Sequence, residues 1–148
     1  MTDAAMIVPS LQIDAWVQRM ADIAFACAVT GAAEGAALIA DLAHALARHP
    51  QGRFTDHTEQ LAQLLAARAD VTAVLVLVEP LASYMLSAAP GAAHLATVVA
   101  RGASMEHHAE GNSAALALAG ALASALAGSA IAVDSLAKGG GRGAFQFN

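Results

Sequence analysis

Between Gly111 and Val133 the chain carries no charged residue. At about 100° of rotation per residue, a helix through this segment has no polar side. Leu118, Leu122, Leu126 and Val133 make one stripe, Gly120, Ser124 and Gly128 recur at every fourth position on another beside Ala117 and Ala121, and the remaining face is alanine. A helix of that kind is enclosed by protein or by lipid. Ser113 suits its N-cap, and the run from Lys138 through Gly143 ends it in a flexible tail. The small-residue stripe lets a neighbouring backbone approach to about 8 Å, the short end of the range for packed helices.

Lipid is the less favourable enclosure. The stretch 114–133 has the length, about twenty residues, that a bilayer requires. Its larger apolar residues, Leu116, Leu118, Leu122, Leu126, Ile131 and Val133, supply only about −2 to −3.5 kcal/mol of insertion free energy. Glu34 and Asp41 interrupt one earlier apolar segment and Glu79 another, each at about 2.5 to 3.5 kcal/mol in mid-bilayer. Burial within protein is expected, with membrane insertion as the alternative.

From Ser10 to Arg48 the apolar residues fall at helical spacing without an internal proline, which predicts helix throughout. Ile13, Trp16, Val17, Met20 and Cys27 share one face, opposite Gln12, Gln18, Arg19 and Asp22. Leu38, Leu42 and Leu46 continue the face that carries Gly31 and Gly35, against a stripe of Glu34, Asp41, His44 and Arg48. Thr30-Gly31 either breaks this rod or bends it, because one glycine weakens a helix by about 1 kcal/mol without stopping it. His49 to Arg53 reads as a connector, and Asp56 with Glu59 has capping-box spacing for a helix through Leu61, Leu64 and Leu65. Val71 to Val78 is β-branched, but no partner strand or hairpin turn is visible, so a buried helix is predicted with a short strand as the alternative. Pro80 kinks or restarts that element, Ala89-Pro90-Gly91 makes a turn, and a further helix is predicted from Ala92 to His108. The fold class expected is therefore all-α: one domain over 1–148, a bundle of five or six helices with Ala/Gly close-packing faces, an arm at 1–9 and a tail at 138–148.

Composition narrows the function more by exclusion than by choice. The chain has 148 residues, 41 of them alanine, and its net charge of −5 includes a single lysine, Lys138. That leaves no basic patch for nucleic acid or anionic lipid. The lone Cys27 cannot form a disulfide within the chain and reads as a buried, inert thiol. The start, Met1 to Met6, lacks a cationic leader, so a cytoplasmic setting is expected. Ala33 to Leu38 and Ala109 to Leu116 resemble each other, a likeness that alanine bias explains as readily as duplication does.

Candidate chemistry is sparse. Glu106-His107-His108-Ala109-Glu110 is the one cluster that suggests a metal: on a helix Glu106 and Glu110 share a face, and His107 reaches Glu110 at i, i+3. Asp41 and His44 offer a second carboxylate and imidazole at the same spacing. The full inward set of a carboxylate-bridged bundle site is absent, which favours solvated helix ends; a pH-sensitive histidine patch is a third reading. The serines show no nucleophile elbow, and the glycine run from Gly139 to Gly143 follows a helix instead of opening one. No cofactor and no catalytic constellation are expected.

A chain this short buries only about two-thirds of its extended surface when it folds alone. With 57% of its residues apolar, the surplus is most simply covered by other copies. The expectation is a structural or scaffolding protein that forms a homo-oligomer or filament, with Gly31, Gly35, Gly120, Ser124 and Gly128 as assembly contacts and Phe145 and Phe147 docking on a neighbour. A membrane-inserting protein and a metal enzyme using Glu106, His107, His108 and Glu110 are the alternatives.

Overall fold

Ser113 starts the helix that carries the charge-free stretch, as its sequence predicts. Its Oγ accepts the Leu116 N–H at 3.1 Å, which satisfies one of the donors that a helix start leaves open, and its carbonyl accepts the Ala117 N–H at 3.0 Å as the first regular helical bond. In the computed structural model, which describes residues 9–88 and 90–138 and the side chains of 11–88 and 90–130, this helix is the last of five. The order is α1 (Pro9–Val29), α2 (Gly35–Ala47), α3 (Thr58–Ala66), α4 (Asp70–Val78), β1 (Ala82–Ser87), β2 (His94–Ala100), β3 (His107–Gly111) and α5 (Ala114–Lys138), with a 3-10 turn at Ala32–Glu34. Residues 1–8 of the expected arm and 139–148 of the expected tail, including Phe145 and Phe147, lie outside the described residues.

The all-α expectation is thereby corrected to α+β. The helix predicted from Ala92 to His108 is instead β2, a turn and the start of β3, and β1 precedes it. The three strands form an antiparallel meander in the order β1-β2-β3. Tertiary packing decides this outcome over local propensity. Laid on α5, the alternate residues Ala96, Val98 and Ala100 bury completely or nearly so, a period of two that no helix provides. Gly91 and Gly102 both take φ near +80°, at 74° and 82°, in the two connections. Residues with a Cβ rarely adopt that conformation, so Gly102 marks a chain reversal in the middle of the predicted helix.

Between Ala115 and Ala127, Ser124 apart, every residue of α5 is buried within one chain. α1, α2 and α4 pack against it, and the sheet packs against it as well. Leu116, Leu118 and Leu122 have no exposure at all, and burial of each stabilises the fold by about 1.5 to 3 kcal/mol. Over that span the need of this helix for an enclosing surface is met intramolecularly.

Several local expectations hold. The Thr30-Gly31 site breaks the first rod in two, and Asn112 Nδ2 donates to the Thr30 carbonyl at 2.8 Å, tying that break to the turn before α5. Val71 to Val78 is helical, with Ala73, Val74, Leu77 and Val78 buried at helical spacing. The capping box does not form: His57 is the N-cap without a side-chain cap bond, and Asp56 Oδ1 instead accepts the Thr58 N–H at 2.9 Å and the Thr58 hydroxyl at 2.7 Å, which holds its carboxyl below the usual range. Ala33 to Leu38 covers a 3-10 turn and helix while Ala109 to Leu116 covers strand and helix, so the two stretches are not copies of one unit.

At the end of α2 lies an aromatic cluster. The Trp16 and His49 rings meet edge to face at 4.6 Å, His49 and Phe54 do so at 5.2 Å, and Phe54 stacks on Trp16 at 5.8 Å. His49 is 7% exposed, and its Nδ1 accepts the Gln51 N–H at 3.1 Å. Burial and the nearby Arg53 charge push its pKa below the ordinary value near 6.5. The unfolded chain therefore takes up a proton that the folded chain refuses. The His49 contribution to stability is complete above about pH 6.5 and is lost as pH falls toward the folded pKa. The urea midpoint is expected to drop between about pH 7 and pH 5, and less steeply in His49→Gln, whose amide oxygen can still accept from Gln51. Equal pH slopes in the two proteins would overturn the assignment of the effect to His49.

Candidate functional site

Register decides which sheet residues face outward. β1 and β2 pair Ser83 with Val99, Met85 with Thr97 and Ser87 with Leu95, and β2 and β3 pair Thr97 with His108 and Leu95 with Glu110. Because opposed residues share a face, all of these stand on the side away from α5. The other set, which includes Leu86, Ala96, Val98, His107 and Ala109, faces inward. Met85 is 67% exposed and Leu95 39%, while Thr97 and Val99 are half-buried by their neighbours in the sheet. A shallow hollow of about 410 Å³ adjoins this face, lined by Ser87, Ala88, Ala92, Ala93, Leu95 and Glu110.

The proposed metal cluster is divided by the same alternation. His107 points toward α5, where its Cε1 lies 2.8 Å from the position a Cβ on Gly128 would take. His108 points outward, with Nδ1 2.9 Å from the Thr97 hydroxyl and Nε2 3.5 Å from Glu106 Oε1. With Nε2–H directed at that carboxylate, Nδ1 accepts the Thr97 O–H. Among the described residues no three His, Cys, Asp or Glu side chains are grouped to hold a metal ion. Asp41 and His44 lie on the exposed side of α2.

The five small residues expected as assembly contacts are placed at separate points, most of them internal. Gly120 lies where α5 meets both α1 and β3: a Cβ there would sit 3.2 Å from Cys27 Cβ, 3.5 Å from Ala109 Cβ and 3.6 Å from the Ala24 carbonyl oxygen. Gly35 faces Leu116, whose Cγ would be 3.2 Å from an added Cβ. Gly31 is exposed and its added Cβ would meet Glu34 Oε1 of its own turn, and Ser124 is half-buried on α5. The close approaches seen at Gly35, Gly120 and Gly128 are thus between elements of one chain. Among the described residues no helix is long and apolar enough to cross a membrane.

β1 has a feature that the sequence reading passed over. As an end strand of the sheet it leaves one row of backbone groups without a strand partner among the described residues. Its six residues, Ala82-Ser83-Tyr84-Met85-Leu86-Ser87, carry no charge and no proline, and they pair with β2 in unbroken register. Edge strands are ordinarily guarded by a charge, a proline or a bulge. The Tyr84-Met85-Leu86 run was the available signal, but inside an assumed helical segment it had no meaning. In comparison with known proteins, no family model, no curated protein and no solved structure matches this chain. Chemistry and geometry alone carry the functional assignment.

Proposed function

We propose that the chain is a structural, non-enzymatic module that self-associates, with copies joined along β1 and the outer face next to it. The observation that supports this reading is the regular, charge-free edge of β1. A second copy is the fitting occupant because antiparallel pairing about a two-fold axis is self-complementary, and this edge brings no like charges together despite a net charge of −5. Such an axis keeps each sheet face on its own side, so Met85 of one copy stands directly opposite or diagonal to Met85 of the other when the strands overlap over all but one of their residues. The setting that suits the module is the cytoplasm, where Cys27, a buried thiol whose pKa is pushed up to about 11 by burial, stays reduced and inert.

Light scattering on a sizing column tests the reading. Wild type is expected to run as a multiple of 14.8 kDa. Met85→Lys sets like charges within about 4.5 to 8 Å of each other across the joint, and is expected to return the protein to a single copy. Because Met85 is mostly exposed, the fold itself should change by no more than about 0.5 kcal/mol. Phe25→Lys, on the exposed side of α1, should leave association intact. A wild-type monomer at high concentration, or a Met85→Lys variant that associates normally, would refute the proposal.

A further inference from the structure

Four of the six arginines in this acidic chain gather around its single tryptophan. On one side of Trp16 an open groove of about 440 Å³ is lined by Arg19, Arg48, His44 and Gln12 among others. On the other side a pocket of about 320 Å³ has Trp16, His49, Phe54 and Leu126 in its apolar wall, with Arg53, Arg101 and Ser129 as polar groups. Neither cavity has a carboxylate in its lining among the described residues. The ion pair formed among the described residues is Glu106 with His108, which leaves all four arginines without an acidic partner there. Arg53 Nε is held by a neutral acceptor, Gln51 Oε1, at 3.2 Å.

We infer that the pocket between Trp16, Phe54 and Arg101 binds a small organic carboxylate with an aromatic or branched aliphatic body. Its volume lies at the small end of the range for ligand sites, enough for one ring and a short chain. The wall of aromatic and aliphatic side chains takes the body. Arg53 and Arg101, both exposed at the rim, present planar forks that match a carboxylate in two parallel hydrogen bonds, and Ser129 supplies a further O–H. Arg19 and Arg48 across Trp16 add positive potential that attracts an anion toward this end of the molecule. A neutral ligand of the same shape gains the wall but not the rim, which is what makes the chemistry testable. The inference is independent of self-association through β1.

Because Trp16 is the only tryptophan, its emission reports on this pocket directly. The full chain is titrated with phenylacetate, with its uncharged counterpart 2-phenylethanol and with acetate, which lacks the body. Phenylacetate is expected to change Trp16 emission saturably and to bind at least about tenfold tighter than either control. Arg53→Gln and Arg101→Gln are each expected to weaken phenylacetate about tenfold without altering 2-phenylethanol, while Arg101→Lys, which keeps the charge and loses the fork, falls between. Arg68→Gln, remote from both cavities, should bind as wild type does. No saturable change, equal affinity for phenylacetate and 2-phenylethanol, or undiminished binding in both Arg→Gln variants would overturn the inference. Circular dichroism of each variant confirms its fold, which substitution of exposed arginines should not disturb.

Discussion

Leucine in place of Gly120 is expected to destabilise the protein by about 3 kcal/mol or more, whereas alanine at the same position changes stability by less than about 1 kcal/mol. The contrast follows from what stands around the missing side chain. An added Cβ would lie 3.2 Å from Cys27 Cβ, 3.5 Å from Ala109 Cβ and 3.6 Å from the Ala24 carbonyl oxygen. Two of these are Cβ atoms fixed to their own backbones and the third is backbone itself. None can swing aside. Alanine needs its neighbours to yield by a few tenths of an ångström, a cost offset by the roughly 1 kcal/mol that alanine contributes over glycine inside a helix. Leucine adds three more carbons, which must push α1 or β3 away from α5 and open the layer that buries the helix. Against a total stability of about 5 to 15 kcal/mol, that loss is large. Urea unfolding followed by far-ultraviolet circular dichroism measures both variants. A leucine variant with the wild-type midpoint would mean that α5 is not held as closely as the geometry states.

The same geometry explains which parts of the fold were legible beforehand. α5 was legible because absence of charge over 23 residues, from Gly111 to Val133, is itself a constraint, and because Ser113 is an ordinary N-cap. The inward faces of α1 and α2 were legible for the usual reason: Trp16, Met20, Cys27, Leu42 and Leu46 repeat at helical spacing and all bury. β2 escaped notice because both of its faces are moderately apolar, with Ala96, Val98 and Ala100 within and Leu95, Thr97 and Val99 without, so no alternation of polarity marks it. Alanine, which favours helix when considered alone, fills inner positions of this sheet only because α5 lies close against them. β3 was hidden by its polar His107, His108 and Glu110, which read equally well as a helix end.

The candidate surface and pocket depend on those strands. Once β3 is a strand, His107 and His108 part to opposite faces, and the metal reading of the cluster gives way to one outward Glu106-His108-Thr97 chain. Met85 and Leu95, ten residues apart, share a surface only because Ser87 pairs with Leu95 in the register. Likewise the arginines around Trp16 come from α1, the end of α2, the loop after it and the turn following β2. No local spacing could have united them. The apolar excess of α5 is largely covered within one chain between Ala115 and Ala127, and the case for association moves to the uncharged edge of β1.

Trp16→Ala is expected to cost about 3 to 5 kcal/mol, the range for deleting a large buried aromatic side chain. Its ring has two duties at once. The first is packing, against His49 and Phe54. The second is closing the end of α2: Trp16 Nε1 donates to the Ala45 carbonyl at 2.7 Å, while the His49 N–H that would ordinarily take that carbonyl turns to Leu46 instead. Trp16→Phe keeps most of the first duty and loses the second, so it should cost about 1 to 3 kcal/mol for a buried acceptor left unsatisfied. The pH response separates the two further. His49 resists protonation because this cluster shields it from water. Phenylalanine preserves the shield and with it the fall in stability below about pH 6.5, but alanine opens a cavity beside the imidazole and should flatten that fall. Urea midpoints read by circular dichroism at several pH values test the pair, and an alanine variant as stable as the phenylalanine one would remove Trp16 from the centre of this part of the fold.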